Sequence, residues 1–285
     1  MFPPNRKAFR LYIFAVLLVI SVVVSQMAFA QTAAVLIPKP SHVVVVIEEN
    51  HGYSQIIGSS QAPYINTLAT QGALFTKSYA ISHPSQPNYL ALFSGSTQGI
   101  IDDSCPHTFS AATLESELIA AGKTFKGYSE GLPSVGSKTC VSGAYVRKHV
   151  PWTDFSKDLT SDNQPFTSFP TNFANLPTVA WVIPNLNDDM HDGSIQQGDS
   201  WLQTHLLSYV TWAQNNNSLL IIQFDENDGS AGNQVATIFV GPMVKPGKYS
   251  ETINHYNVLR TIEDMYGLGH LGNSATAKSI LDVWK

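Results

Sequence analysis

Residues His42–Glu48 have the sequence HVVVVIE, a run of β-branched residues without polar alternation. Such a strand is buried on both faces, as in a parallel sheet that helices cover on either side. Three later stretches have the same character and are also predicted to be strands: residues 178–183 (TVAWVI), 218–224 (SLLIIQF) and 235–240 (VATIFV).

Helices are predicted between these strands, at residues 63–70, 113–121, 199–214 and 256–266. Alternating strands and helices indicate an α/β fold, with a doubly wound, mostly parallel sheet and helices on both of its faces. No internal repeat or linker divides the chain, so residues 38–285 are predicted to form a single domain.

The composition excludes one broad class of function. The chain has 285 residues, of which 44% are hydrophobic and 13% are charged, and its formal charge is −5. A sequence-independent nucleic-acid binder needs a basic surface, so no nucleic-acid partner is expected. The length is sufficient to bury one sizeable core.

The N-terminus has the pattern of a secretory signal peptide. Arg6, Lys7 and Arg10 form a basic start, residues 11–30 carry no charge, and an Ala-Phe-Ala sequence ends at Ala30. We therefore expect residues 1–30 to be removed, leaving a secreted or periplasmic protein with no permanent membrane anchor. The alternative is an uncleaved anchor, because the uncharged run is long enough to span a bilayer.

The chain contains two cysteines, Cys105 and Cys140. An even pair in an exported protein is most simply a disulfide, and two free buried cysteines are the alternative. A zinc site is disfavoured, because neither cysteine has a CxxC or CxxH neighbour.

Polar residues follow three of the predicted strands. Ligands of open α/β sheets bind beyond the carboxyl ends of the strands, so these residues are expected to share one site. In chain order they are Glu49 and Asn50, then Asp188, Asp189, His191 and Asp192, and then Asp225 and Glu226.

Four of these residues are candidate metal ligands: Glu49, Asn50, Asp225 and Glu226. Their oxygen atoms are of the kind that hold a hard or borderline divalent cation. Like charges gathered at one edge are costly without a counter-cation. The sequence therefore predicts one divalent metal ion, of unspecified identity; the alternative is a set of solvated turn and capping residues.

A serine completes this set. The segment SHPSQPNYL, residues 82–90, follows a strand-like stretch at 73–80 and opens an apolar helical stretch at 88–93. Ser85 then lies near a helix N-terminus, where free backbone N–H groups favour a phosphate; the alternative is an ordinary serine cap. A serine, acidic metal ligands and histidines together indicate phosphoryl transfer. A Ser-His-Asp acyl hydrolase is disfavoured by the lack of a GxSxG motif.

These segments together resemble the secreted phosphoesterase family that groups bacterial acid phosphatases with non-zinc phospholipases C, within the alkaline-phosphatase-like superfamily. The resemblance runs in order from His42 nearly to the C-terminus. It is carried by VVVVIEENHGYSQIIG, SHPSQPNYLALFSGST, GYSEGLP, RKHVPW, PNLNDDMHDG, IIQFDENDG and TIFVGPMVKPG. The shorter, phosphatase-like branch fits better, because the phospholipase C branch usually has a longer C-terminal extension.

The resemblance implies a role for each matching metal ligand and for the serine. Glu49 and Asn50 correspond to the first pair of metal ligands, and Asp225 and Glu226 to the second pair. Ser85 corresponds to the nucleophile.

The resemblance also implies residues that contact the substrate. Asn88 corresponds to an asparagine near the bound phosphate, and Asp189 is expected to bind substrate as well. His149 and His191 correspond to histidines that contact the phosphate or the leaving group. The chain departs from many relatives at Gln234, where they have a histidine, and glutamine cannot shuttle a proton near neutral pH.

We therefore expect a secreted, metal-assisted acid phosphatase that hydrolyses phosphate monoesters through a phosphoserine intermediate. Its substrate would be a phosphorylated small molecule or a lipid headgroup. One alternative is a phospholipase C-like phosphodiesterase, and another, of a different class, is a catalytically inactive exported binding protein with the same fold.

Overall fold

The computed structural model describes residues 36–230 and 232–285, and the expected signal peptide at residues 1–30 lies outside them. Residues Leu36–Lys285 form one compact unit. Within the described ranges, no helix combines the length and apolar character needed to cross a membrane.

The elements alternate along the chain as the sequence predicts. The strands of the described residues are β1 (His42–Glu48), β2 (Ala73–Tyr79), β3 (Phe125–Ser129), β4 (Val141–Ser142), β5 (Tyr145–Val146), β6 (Asn163–Pro165), β7 (Val179–Ile183), β8 (Ser218–Phe224), β9 (Gln234–Val240), β10 (Gly247–Tyr249) and β11 (Ile253–Asn254). The α-helices there are α1 (Tyr53–Ile56), α2 (Pro63–Gln71), α3 (Ser85–Ser94), α4 (Leu114–Ala120), α5 (Ile195–Ala213) and α6 (His255–Tyr266).

The main sheet has the strand order β10-β2-β9-β8-β1-β7-β3-β6, and β11 pairs with β2. Strand β1 lies at its centre and runs parallel to both β7 and β8. Strand β9 differs from its neighbours, because it runs antiparallel to β8 and to β2. The connection from β8 to β9, residues 225–233, is too short for the crossover that a parallel pair requires. The mostly parallel, doubly wound sheet is confirmed.

Helices cover both faces of the sheet, which explains the continuous apolar run of β1. Val43, Val45 and Ile47 point into one core, which they share with α3, α4 and α6. Val44 and Val46 point into the second core, with α1, α2 and α5. Each buried side chain of this size contributes about 1.5–3 kcal/mol of hydrophobic stabilisation, so both faces of β1 favour burial.

Helix α3 begins at Ser85, three residues before the start of the predicted helical stretch, and all of its residues are buried. Pro87 is tolerated there because N–H groups of the first turn have no partner within the helix. Gly95 ends the helix with a φ of 70°. A Cβ atom at Gly95 would lie 1.9 Å from the carbonyl oxygen of Leu271, so this position requires glycine.

Candidate active site

The carboxyl ends of β8, β1 and β7 bring the acidic clusters together, because these strands are neighbours in the sheet. The backbone ties the three ends to one another. The N–H of Glu49 donates to the carbonyl of Asp189 at 2.8 Å, and the N–H of Asp225 donates to the carbonyl of Glu48 at 2.9 Å. The N–H of Asn50 donates to Oδ1 of Asp225 at 3.2 Å. The structure thus places the candidate ligands from β1 and β8 side by side.

The hydroxyl of Ser85 lies between two of these carboxylates. Its Oγ is 2.9 Å from Oε2 of Glu49 and 3.0 Å from Oε1 of Glu226. A hydroxyl has one proton to donate, so it bonds one carboxylate at a time. Ser85 is the first residue of α3 and is 1% exposed, which fixes the hydroxyl at this point.

The donor set fits a hard divalent cation. Burial raises the pKa of Asp225 well above its usual range, and the charges of Glu49 and Glu226 raise it further. Oδ2 of Asp225 is buried and has no hydrogen-bond partner among the described residues, which is costly unless a cation lies nearby. Within residues 36–230 and 232–285, no three acidic, histidine or cysteine side chains form a ready-made metal site. The Ser85 hydroxyl occupies the point between the carboxylates of Glu49 and Glu226.

The first turn of α3 offers fewer N–H groups than the sequence suggests. The N–H of Gln86 donates to Oδ1 of Asp103 at 2.9 Å, and Pro87 has no N–H. The N–H groups expected to cradle a phosphate are therefore in part committed elsewhere, although the helix dipole remains.

Asn88 holds the loop before α3. Its Oδ1 accepts from the N–H groups of Ile81 and Ser82, at 2.9 and 3.0 Å. Its Nδ2 donates to the carbonyls of Ser82 and Pro84, at 3.0 and 3.2 Å. These four bonds use the whole capacity of the amide. In this structure Asn88 shapes the loop that carries Ser85, and the phosphate contact expected of it stays a prediction.

His149 lies behind the site rather than at its surface, and it is 1% exposed. Its Nε2 is 3.1 Å from Oε1 of Glu49, and its Nδ1 is 3.3 Å from Oδ2 of Asp189. Burial lowers the pKa of His149 to about 4, so the ring is neutral near neutral pH. Burial raises the pKa of Asp189 to about 8. Asp189 supports Glu49 through its backbone carbonyl, His149 packs beside Glu49, and contact of either residue with substrate stays a prediction.

His191 lies at the mouth of the site. Together with Asn50, His51, His83 and Glu226 it lines an open cleft of about 520 Å³. Its N–H donates to Oδ1 of Asp189 at 2.8 Å, which fixes the backbone of the loop. Of the two histidines expected to be catalytic, His191 is therefore the one that an entering ligand can reach.

Two residues to which the sequence assigns no role, Tyr89 and His83, contact the metal-ligand candidates. The hydroxyl of Tyr89 donates to Oε1 of Glu49 at 2.6 Å. Nδ1 of His83 contacts Oε2 of Glu226. Tyr89 follows Ser85 by one turn of α3, so a helical reading from residue 85 onward would have placed both on the same face.

Glu130 ties the loop of Asp189 and His191 to helix α5. Its Oε1 accepts from Nε1 of Trp201, and its Oε2 accepts from the N–H of Asn185, both at 3.1 Å. Glu130 lies in the GYSEGLP segment of the resemblance, for which the sequence offers no mechanism. The structure gives it the position of a residue that orients the loop.

The expected disulfide between Cys105 and Cys140 is present. The segments that it joins also meet at Arg147, which is 4% exposed. The N–H of Arg147 donates to the carbonyl of Cys140 at 2.9 Å, and its guanidinium pairs with Asp154 at 2.8 Å. The disulfide therefore anchors two surface segments directly beside His149.

Solved structures show which fold this is. A lipoteichoic acid synthase from Listeria monocytogenes superposes with a TM-score of 0.61 over 87% of this chain and 77% of that one, at 10% identity. A protein of the alkaline phosphatase superfamily from Vibrio parahaemolyticus superposes with a TM-score of 0.58 over 85% of this chain and 71% of that one, at 12% identity. At these identities the likeness concerns the fold alone, which is that of the alkaline phosphatase superfamily.

Sequence comparison defines the family. The model of the Phosphoesterase family matches residues 59–269. A phosphatidylinositol-3-phosphatase from Mycobacterium tuberculosis is 52% identical over 255 residues, which cover 88% of this chain and 85% of that protein. An acid phosphatase from Aspergillus fumigatus is 33% identical over 243 residues, which cover 76% of this chain and 53% of that protein. The chain belongs to the Phosphoesterase family, and these relatives support a phosphatase function.

Proposed function

We propose that this protein is an exported, metal-assisted phosphomonoesterase of the acid phosphatase type, with Ser85 as its nucleophile. The observation that carries the proposal is the position of the Ser85 hydroxyl, between Glu49 and Glu226 at the start of α3. Pro84, and not Ser85, holds the cap position of α3, and the described hydrogen bonds of the Ser85 hydroxyl go to the two glutamates, so a capping role does not explain this serine.

The chain's own residues supply the positioning and the proton transfers. Oε2 of Glu49 and Oε1 of Glu226 are within reach of the Ser85 proton when the oxygen attacks phosphorus. Attack forms a bond from Ser85 Oγ to phosphorus and breaks the bond to the leaving oxygen. His191, at the mouth of the cleft, is placed to protonate that oxygen. Water then cleaves the phosphoserine and releases phosphate.

A divalent cation is part of the proposal, and Glu49, Asn50, Asp225 and Glu226 would hold it. Once bound, such a cation neutralises phosphate oxygens and lowers the pKa of a serine hydroxyl. The support for it is the chemistry of the four donors and the unpartnered, buried Oδ2 of Asp225.

The substrate class proposed is a phosphate monoester on a small molecule or on a lipid headgroup. The likeness to a phosphatidylinositol-3-phosphatase along most of the chain favours testing inositol lipids phosphorylated on the ring. Export is proposed as well, and the disulfide supports it, because disulfides persist in oxidising compartments.

The test is hydrolysis of p-nitrophenyl phosphate and of bis-p-nitrophenyl phosphate by the purified protein. Each is measured as isolated, after chelation, and after addition of single divalent metals. We expect the monoester to be preferred, activity to be lost on chelation, and at least one metal to restore it. Full activity after exhaustive chelation would contradict the proposed requirement for a divalent cation. A preference for the diester would favour a phosphodiesterase.

A further inference from the structure

Lys148 precedes His149 and is linked to the nucleophilic helix through one carboxylate. Its Nζ lies 2.7 Å from Oδ2 of Asp103. The other oxygen of Asp103 accepts the N–H of Gln86 at 2.9 Å, and Gln86 follows Ser85 in α3. Asp103 therefore connects the ammonium group to the first turn of the helix that carries the nucleophile.

The ammonium group is held close to the site and only partly hydrated. The side chain of Lys148 is 17% exposed, and that of Asp103 is 29% exposed. The chain neighbour of Lys148, His149, has its Nε2 3.1 Å from Oε1 of Glu49, and Asp103 accepts the N–H of the residue that follows Ser85. The segment that carries the ammonium therefore borders the candidate metal ligands and the start of α3.

The neighbouring residue Arg147 also carries a cation, but all of its donor groups are bound within the protein. The guanidinium of Arg147 pairs with Asp154, and its N–H groups also bond the carbonyls of Lys138, His107 and Thr153. Arg147 is therefore fully committed to structure. Lys148 has one partner among the described residues, Asp103, so two of the three N–H donors of its partly exposed ammonium have no protein acceptor there.

Stability alone is a weak reason for this ion pair. A partly exposed pair of lysine and aspartate contributes little to folding, with a typical value of about 0–1 kcal/mol. Yet its position is fixed from two sides, because Asp103 is two residues from the disulfide at Cys105 and Lys148 lies in the turn Arg147–His149. Fixed charges of this kind serve to bind a charged ligand with little reorganisation.

We propose that Lys148 is a substrate-binding cation that favours the doubly charged phosphate of a monoester over the singly charged phosphate of a diester. Asp103 is the positioning residue that holds it beside α3. This inference rests on the proposed function, since it concerns the same site. A fixed charge attracts a dianion about twice as strongly as a monoanion at the same distance, and lysine binds phosphate as a point charge.

Binding of inorganic phosphate tests the proposal without requiring turnover. Isothermal titration compares the wild type with Lys148→Met, Lys148→Arg and Asp103→Asn, and Lys248→Met is the control because Lys248 is an exposed lysine of β10. We expect the Kd for phosphate to rise at least about tenfold in Lys148→Met. Lys148→Arg should retain most of the affinity, and Lys248→Met all of it. If Lys148→Met does not fold, Lys148→Gln replaces it.

Kinetics on the two p-nitrophenyl esters give the specificity. We expect Lys148→Met to lower kcat/KM for the monoester more than for the diester, mainly through KM. Asp103→Asn should raise KM for the monoester while leaving the melting temperature close to that of the wild type, because the pair contributes little to folding.

Four results would overturn parts of this account, and they are distinguishable. Phosphate binding by Lys148→Met within about twofold of the wild type would overturn the role of Lys148, as would a wild type that binds no phosphate. Unchanged kinetics in Asp103→Asn would overturn the positioning role. A wild type that binds phosphate through Lys148 but hydrolyses no monoester would contradict the proposed function and leave the phosphate site standing.

Discussion

Tyr89 lies parallel to His149, with ring centroids 4.9 Å apart and an interplanar angle of 6°. The Tyr89 hydroxyl donates to Oε1 of Glu49 at 2.6 Å, and Nε2 of His149 lies 3.1 Å from the same oxygen without a hydrogen bond among the described residues. That oxygen is thereby held on one side, and Oε2 is left to face Ser85. The stacked pair thus fixes the orientation of one carboxylate in the candidate metal site.

The metal assignment predicts that Asp225→Asn raises the melting temperature of the metal-free protein and reduces the stability that added metal supplies. Without metal, the variant should melt at a higher temperature than the wild type near neutral pH. Burial and the charges of Glu49 and Glu226 raise the pKa of Asp225, and a carboxyl with a raised pKa lowers the free energy of unfolding once the pH exceeds its pKa in the unfolded chain. With metal, it should gain less stability than the wild type, since ligand binding stabilises only in proportion to affinity.

Thermal melts with and without added divalent metal, together with elemental analysis, check this prediction. Asp228→Asn is the matched control, because Asp228 follows the same strand but lies at the rim of the cleft and is exposed. Equal metal content in Asp225→Asn and the wild type would remove Asp225 from the ligand set.

Glu130→Gln should lower kcat while leaving metal content unchanged. The substitution keeps one acceptor oxygen and replaces the other by an NH₂ group, so either Trp201 or Asn185 loses its bond. The loop of His191 would then be displaced, and small displacements of catalytic groups cost about tenfold or more in rate. Steady-state kinetics on p-nitrophenyl phosphate measure the effect.

Trp201→Phe separates orientation of the loop from packing of the helix. It removes the N–H that reaches Glu130 but keeps the bond from Asn185, so its kcat should stay closer to that of the wild type. If both variants lose rate equally, the loop is not held through Asn185 as described.

A second cluster of buried carboxyl groups predicts how stability depends on pH. Glu115 is buried, and burial together with the nearby charge of Asp158 raises its pKa from 4.5 to about 9. Burial also raises the pKa of Asp158, to about 7. The N–H of Leu159 donates to Oε1 of Glu115 at 2.7 Å, whereas Oε2 has no partner.

The direction of the pH dependence follows from the protonation of Glu115 in the folded and in the unfolded chain. Below pH 4.5 the Glu115 carboxyl is protonated in both the folded and the unfolded chain, and it has no effect on stability. As the pH rises toward 9, the unfolded chain releases the proton and the folded chain retains it, so the free energy of unfolding falls.

Glu115→Gln should therefore raise the free energy of unfolding by about 1–2 kcal/mol near pH 8 and change it little near pH 4.5. Urea unfolding at the two pH values measures the difference. Glu117→Gln, on the same helix at a partly exposed position, is the control. A gain of the same size at both pH values would show that the titration of Glu115 is not the cause.

The elements predicted best are those whose pattern is local. Strands β1 and β8 have the predicted bounds, because a long run of β-branched residues between turn residues admits few other structures. Helix α5 begins at Ile195, earlier than predicted, because Ser194 accepts the N–H of Gln197 and caps an additional polar turn. The antiparallel direction of β9 depends on the short connection from β8, which its own apolar pattern does not encode.

The candidate site also contains residues that the local sequence predicts and contacts that it does not predict. Glu49, Asp225 and Glu226 could be found because each directly follows an apolar strand. The bonds that orient the site join residues that are distant in sequence: Glu130 and Trp201 are 71 residues apart, and Lys148 and Asp103 are 45 apart. Such pairs are set by the tertiary packing of the loops, and no spacing rule in one sequence predicts them.

Ser82 provides the control for the proposal that Ser85 is the nucleophile. Both serines flank His83, yet the Ser82 hydroxyl is exposed and donates to the carbonyl of His83, at 3.1 Å, whereas the Ser85 hydroxyl lies between two glutamates. If Ser85 only stabilised the start of α3, its loss would cost about 1 kcal/mol of stability and leave the chemistry intact.

The most direct measurement is the initial rate of p-nitrophenyl phosphate hydrolysis by Ser85→Ala and Ser82→Ala, at metal saturation and with matched melting temperatures. A phosphoserine mechanism at Ser85 predicts that Ser85→Ala loses about three orders of magnitude or more in kcat, with KM changed far less. The kcat of Ser82→Ala should stay near that of the wild type. Turnover by Ser85→Ala within about tenfold of the wild type would contradict a phosphoserine mechanism at this residue.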